Sequence, residues 1–170
     1  MADARIQTER LTLIPYTLEL LQLTLQSRQA LADALHLAVP PDWPGPDLEE
    51  ILHLVERAFL ELPARQRWMW IVAHRADRTL IGSAGFTDLP NERGQVELGY
   101  GLIPAFRGHG YATEATRALV AHALAQPGLA RVFAECEDTN YPSQRVLARL
   151  GMVRVGRDGT LLQYALERPS

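Results

Sequence analysis

Three short stretches of this 170-residue chain carry residue types at spacings that could do chemistry. In "RGHGYA" (107–112), Gly108 and Gly110 let successive backbone N–H groups converge where a helix begins, and Arg107 adds a permanent positive charge with His109 as a second donor. Such a turn suits an anion; in its bland reading the glycines only tighten a turn and Arg107 is solvated. In "VELGYGL" (96–102), strand alternation places Val96, Leu98 and Tyr100 on one face and Glu97 with the two glycines on the other. A carboxylate beside an open backbone can take a proton from an ammonium group, or it can pair with an arginine such as Arg107 and only shape the strand. In "NYPSQR" (140–145), Asn140 stands between a strand and a helix, and Ser143 is a hydroxyl in the first turn. Helix capping accounts for both residues without any chemistry.

Other chemistries lack their residues. All 17 basic residues are arginine, which removes a lysine nucleophile and the lysine of a phosphate loop. Thr113 stands where a dinucleotide fingerprint needs its third glycine. His36, His53, His74, His109 and His122 show no metal-ligand spacing, and Cys136, the lone cysteine, reads as core. No metal is expected. A net charge of -3 offers no basic face for nucleic acid, no apolar run reaches the roughly 20 residues of a membrane span, and "MADARIQTERL" lacks the apolar region of a leader. A cytoplasmic protein, monomer or homodimer, is the expectation.

The elements that must position these residues can be read from periodicity. "TERLTLIPY" (8–16) reads as a strand, and Thr17 to about Leu37 as one helix or two. "VPPDWPGP" (39–46) breaks the pattern, with four prolines and a glycine. Asp47 is expected to cap an amphipathic helix whose apolar stripe is Leu48, Ile51, Leu52, Val55, Phe59 and Leu62. "WMWIVAH" (68–74), "TLIGSAGFTD" (79–88) and "QVELGYGL" (95–102) read as three consecutive strands. A helix from about Gly108 to Gln126, a strand from Arg131 to Glu137, a helix from Tyr141 to Leu150 and a closing pair around Asp158-Gly159 complete the order β-α-α-β-β-β-α-β-α-β-β. That order is a mixed α/β architecture.

The stretch "RGHGYATEA" resembles the R/Q-x-x-G-x-G/A signature of the GNAT acyltransferase superfamily. "TERLTL", "VELGYGL" and "DTNYPSQRVLARLGM" agree with it, and the whole order of elements is similar to that fold, nearest in appearance to the ribosomal-protein N-terminal (RimJ/RimL-like) branch. The resemblance implies one N-acetyltransferase domain over residues 1–170, with a central sheet splayed to admit the arm of coenzyme A. It implies acetyl-CoA as cosubstrate and a primary amine as acceptor, a protein N-terminus or a small molecule, attacked directly in a ternary complex. The positions that match its cofactor site are Leu102 and Ile103 for the pantetheine arm, Arg107, Gly108, His109, Gly110, Tyr111 and Ala112 for the pyrophosphate, Asn140 for the pantetheine region and Ser143 near the thioester sulfur. Glu97 and Ser143 are the catalytic candidates. Leu147 stands where many members place a tyrosine acid, so that group is missing here. The loop before the amphipathic helix is expected to wall the acceptor cleft, with Trp43 as a lining residue, while Trp68 and Trp70 read either as packing or as pocket walls. The alternative from another class is a noncatalytic acyl-CoA-binding module.

Overall fold

The computed structural model describes residues 4–170, so the first three residues of the opening segment lie outside the description. Eight strands form one mixed sheet in the order β1-β2-β3-β4-β5-β6-β8-β7. They are β1 (Ile6–Gln7), β2 (Leu11–Pro15), β3 (Met69–His74), β4 (Thr79–Phe86), β5 (Gln95–Leu102), β6 (Arg131–Glu137), β7 (Val153–Asp158) and β8 (Leu161–Glu167). Neighbours are antiparallel except β5 and β6, which run parallel. The helices are α1 (Leu18–Gln26), α2 (Arg28–Leu35), α3 (Pro46–Glu61), α4 (Tyr111–Leu124) and α5 (Tyr141–Arg149), with short 3-10 turns at Pro63–Trp68 and Pro104–Phe106. None of these helices is long and apolar enough to cross a membrane.

The sheet is covered on both faces, which explains why β3 reads as a continuous apolar run. Trp70 and Val72 join a core that includes Leu119 and Val120 of α4 and Leu147 of α5, whereas Ile71 and Ala73 join a second core with Leu21, Leu31, Leu52 and Phe59 of α1 to α3. Alternate side chains of a pleated strand therefore feed opposite layers.

The expected elements are present with local differences. The segment 17–37 is two helices because Ser27 takes an extended backbone (φ -169°), closing α1 and accepting the Ala30 N–H at 3.0 Å to start α2. α3 begins earlier than expected: Gly45 is its N-cap and Pro46 its first residue, so Asp47 sits inside the first turn, where its charge suits the helix dipole without capping. Of the apolar stripe of α3, Leu48, Leu52 and Phe59 are buried, but Ile51 stays 43% exposed. Ile51 faces a cavity rather than the core.

Candidate active site

The strand pair β5–β6 opens partway along its length. Gln95, Val96 and Glu97 pair with Arg131, Val132 and Phe133, and there the pairing ends, although β5 runs on to Leu102 and β6 to Glu137. On its other edge β5 stays joined to β4 through Leu102. Thr87 N–H donates to the Glu97 carbonyl (3.0 Å) and Ile103 N–H to that of Ile81 (2.8 Å), so the odd-numbered residues of β5 spend their backbone groups on β4. Leu98, Tyr100 and Leu102 then turn theirs toward the opening, a free strand edge for an extended, amide-bearing ligand.

The two expected pantetheine ligands differ in their backbone bonding. Both backbone groups of Ile103 are occupied, the N–H by Ile81 and the carbonyl by the Phe106 N–H at 3.1 Å, and its side chain is buried. The usable edge lies earlier on β5, because the antiparallel ladder commits every second residue. Leu102 lies on that edge, with its carbonyl already accepting from Arg107 Nε at 2.9 Å.

At the C-terminal end of β5 the chain enters the glycine turn. Gly108 (φ 77°) and Gly110 (φ 81°) both take the left-handed conformation that a Cβ disfavours. Gly110 is the N-cap of α4, and no side chain caps that helix. The N–H groups of Tyr111, Ala112 and Thr113 therefore have no intrahelical acceptor and point outward from the positive end of the dipole. Behind the turn, Arg10 Nη1 donates to the His109 carbonyl (2.9 Å) and holds it on the far side. Arg10 also pairs with Glu114 (2.7 Å) and lies over the Tyr111 ring, 4.5 Å from its centroid. His109 stacks on Tyr111 (5.5 Å), whose hydroxyl is 3.0 Å from His74 Nε2. Burial alone would raise the Glu114 carboxyl. The bonds from Thr8 and from the backbone and side chain of Arg10 outweigh it and hold the group below its ordinary range. Arg10 thus braces a turn about a hundred residues further along the chain, a contact that no local pattern around "TERLTL" encodes.

On the opposite bank of the opening, Asn140 caps α5 by accepting the Ser143 N–H at 3.2 Å. Ser143 Oγ lies 2.7 Å from the Tyr100 hydroxyl of β5. Alternation placed Tyr100 with the core residues Val96 and Leu98, which hid its phenol as a polar group. Leu147 is core.

On the other face of β5, Gly99 and Gly101 floor a cavity of about 440 Å³ walled by α3 and the turn before β3, with Trp68, Phe86 and Arg107 among its sides. A Cβ at either glycine would meet open space. Glu97, on the same face, accepts a long bond from Thr87 Oγ1 (3.4 Å), and Thr87 lines the cavity. Burial raises the Glu97 carboxyl above its ordinary range, and the neighbouring charge of Glu135 raises it further, against the Thr87 bond. Arg107 bonds to Leu102, so the alternative Glu97–Arg107 pairing is not formed. Trp43 is buried, with its indole N–H 3.3 Å from the Gly82 carbonyl; Pro44, Gly45 and Pro46 line the cavity in its place. Trp68 does line it, and Trp70 is core.

The Acetyltransferase (GNAT) domain family matches residues 10–153. The chain belongs to the GNAT acetyltransferases. It is 28% identical over 150 residues to the uncharacterized N-acetyltransferase YjdG of Bacillus subtilis (strain 168), covering 87% of this chain and 89% of that protein. In fold it is similar to RimL, a ribosomal L7/L12 alpha-N-protein acetyltransferase solved with coenzyme A (TM-score 0.66, 20% identity, 96% of this chain and 97% of that one). It is also similar to MccE, a microcin C7 self-immunity acetyltransferase solved with acetyl-CoA and AMP (TM-score 0.64, 16% identity, 94% and 93%). This GNAT chain thus has the fold of proteins that bind acetyl-CoA or coenzyme A.

Proposed function

We propose that this GNAT chain is an N-acetyltransferase that moves an acetyl group from acetyl-CoA to a primary amine by direct attack in a ternary complex. The observation that carries the reading is the opening of β5 from β6 beyond Glu97, because it joins three features in one line. The uncapped start of α4 lies at one end, a free strand edge runs between, and a half-buried carboxylate beside a cavity lies at the other.

The residues fit acetyl-CoA by chemistry. N–H groups of Gly108 to Ala112 would hold the pyrophosphate, with Arg107 adding charge. The edge of Leu98, Tyr100 and Leu102 would pair with the amides of the pantetheine arm. Asn140 orders the first turn of α5 and so fixes Ser143 at the opening. Bound acetyl-CoA supplies an acyl group already activated as a thioester, with an alkyl thiol, far more acidic than an alcohol, as its leaving group. Glu97 has the harder task. An alkyl amine has a pKa near 10.4 and is charged at neutral pH, so it must lose a proton before it can attack. A carboxylate whose basicity is raised by burial and by Glu135 is suited to take that proton, directly or through water, an assistance worth roughly 10² to 10⁴ in rate.

The acceptor is read from the cavity. Its walls combine the apolar faces of Ile51, Val55, Phe59 and Trp68 with Arg65 paired to Asp88 at 3.0 Å, so it suits an amine carried on a partly apolar body. A small molecule or a protein N-terminus meets that description. The test has two arms: calorimetric titration with acetyl-CoA and CoA, then thioester consumption with a panel of N-terminal peptides against a panel of small amines. Micromolar binding with turnover of any amine is the expected result. Binding without turnover of any amine would leave a noncatalytic acyl-CoA module, and no binding would overturn the cofactor reading itself.

A further inference from the structure

We propose that Tyr100 is a positioning residue for Ser143: its phenol donates to Ser143 Oγ and thereby turns the serine's own proton toward the sulfur of coenzyme A. The inference rests on the cofactor reading above and adds a residue and a role to it.

The two hydroxyls come from opposite banks of the opening. Tyr100 sits on the half of β5 that has left β6, and Ser143 sits in the first turn of α5, which β6 leads into. Their oxygens are 2.7 Å apart, whereas the Ser143 carbonyl, the other acceptor in reach, is a distant 3.5 Å. Either oxygen could donate in principle, but the chemistry is unequal. A phenol is the more acidic donor and the poorer acceptor, so the stable arrangement has Tyr100 giving and Ser143 receiving. Ser143 N–H is already spent on Asn140, so backbone and phenol together fix where the serine oxygen lies. Its remaining proton is free. A serine in a first helical turn otherwise turns that proton back to a carbonyl of its own chain. With one lone pair engaged by Tyr100, the proton is directed into the opening instead.

Tyr100 holds its role across the working pH range, because burial raises its phenol above the ordinary value, with the Ser143 bond opposing and Cys136 adding to the rise. The group stays protonated and stays a donor. No proton changes hands between these residues: Ser143 keeps its hydrogen and offers it to a sulfur that becomes negative, a bond that strengthens as charge develops. The hydroxyl that faces the opening is thus that of Ser143 on α5, oriented by a phenol from β5.

The experiment reads the thiol of bound CoA, which needs no acceptor. The pKa of that thiol is measured from thiolate absorbance as the difference between the CoA complex and the free protein, so that Cys136 cancels. In the wild-type complex it should fall below the value of free CoA titrated alongside. Y100F and S143A should each raise that pKa again, lowering the acid dissociation constant by a factor of about three or more, and Y100F added to S143A should change nothing further. Calorimetric affinity for CoA should remain within a few-fold, and once an acceptor is in hand kcat should fall while KM for acetyl-CoA holds. An unshifted thiol in wild type, or a Y100F complex that binds CoA with the wild-type thiol pKa, overturns the proposal. So does an equal Y100F effect in the S143A background, which marks a merely structural role. Loss of CoA binding by wild type would instead remove the cofactor reading on which the proposal stands. If Y100F does not fold, 3-fluorotyrosine at position 100, the same shape with a stronger donor, must lower the thiol pKa further; no change overturns the inference equally.

Discussion

The glycine turn at 107–112 and the carboxylate cavity beside Glu97 lie on the same strand and its continuation, yet they are built in opposite ways. The turn is made of backbone: two left-handed glycines and an uncapped helix start, contiguous in the chain. The cavity is assembled from separate elements: side chains of α3, the Pro63–Trp68 turn and β4 over a glycine floor on β5. A backbone site depends on conformations that only certain residues adopt, so one substitution can abolish it. A cavity assembled from several elements shares its function among many contacts, and single changes there act through charge or proton affinity more than through shape.

The largest effect should come from the turn. Gly110→Asp places a carboxylate where a phosphate belongs, and like charges about 4 Å apart cost roughly 4 kcal/mol near a protein surface. The fold should survive, because aspartate tolerates the left-handed region, favours N-cap positions and would find Arg10 Nη2, 3.4 Å from the new Cβ. Calorimetry should show CoA affinity falling by about a hundredfold or more. Pantetheine, which has no pyrophosphate, should bind weakly to both proteins; wild-type CoA affinity in a folded Gly110→Asp protein would end the contrast.

Glu97→Gln comes next. It keeps the shape and removes the basicity, so kcat/KM at pH 7 should drop by about tenfold or more, and the loss should shrink as pH rises and free amine becomes abundant. Stability should move the other way. A folded-state pKa raised above the ordinary carboxylate value means that ionisation is disfavoured in the fold, so the penalty appears as pH climbs from that ordinary value and is complete above the folded one. Thermal melts should therefore show Glu97→Gln gaining Tm at pH 7 and losing that gain at pH 3. Unchanged kcat/KM from pH 6 to 9 would make the carboxylate structural.

The smallest effect belongs to Asn140→Ala, which removes the α5 cap and should cost about 1 kcal/mol of stability, read by chemical denaturation. Because the cap also sets Ser143, the bound-CoA thiol should shift slightly in the direction that S143A takes.

Reading along the chain reached the turn and the strand more easily than it reached their partners. Gly108, Gly110 and Arg107 announce a turn because the needed conformations are written into adjacent residue types. The alternation of "VELGYGL" separated Glu97 and the glycines from Val96, Leu98 and Tyr100 because the period of a strand is local. Two positions needed pairing information that local pattern does not carry. Ile103 could be placed beside the opening by position, but only the register against Ile81 reveals that its N–H is already spent. Trp43 belongs to the loop that walls the cavity, yet its indole turns inward to Gly82.

By itself the sequence determined the periodicities, the breaks and the glycine turn, since these depend on interactions within a few residues. Only the tertiary structure decided that β5 leaves β6 after Glu97, that Arg10 braces a turn far along the chain, and that Tyr100 meets Ser143 across the opening. Those outcomes depend on which strands become neighbours and where their pairing stops. A hydrogen bond between residues 43 apart leaves no trace in the local pattern of either.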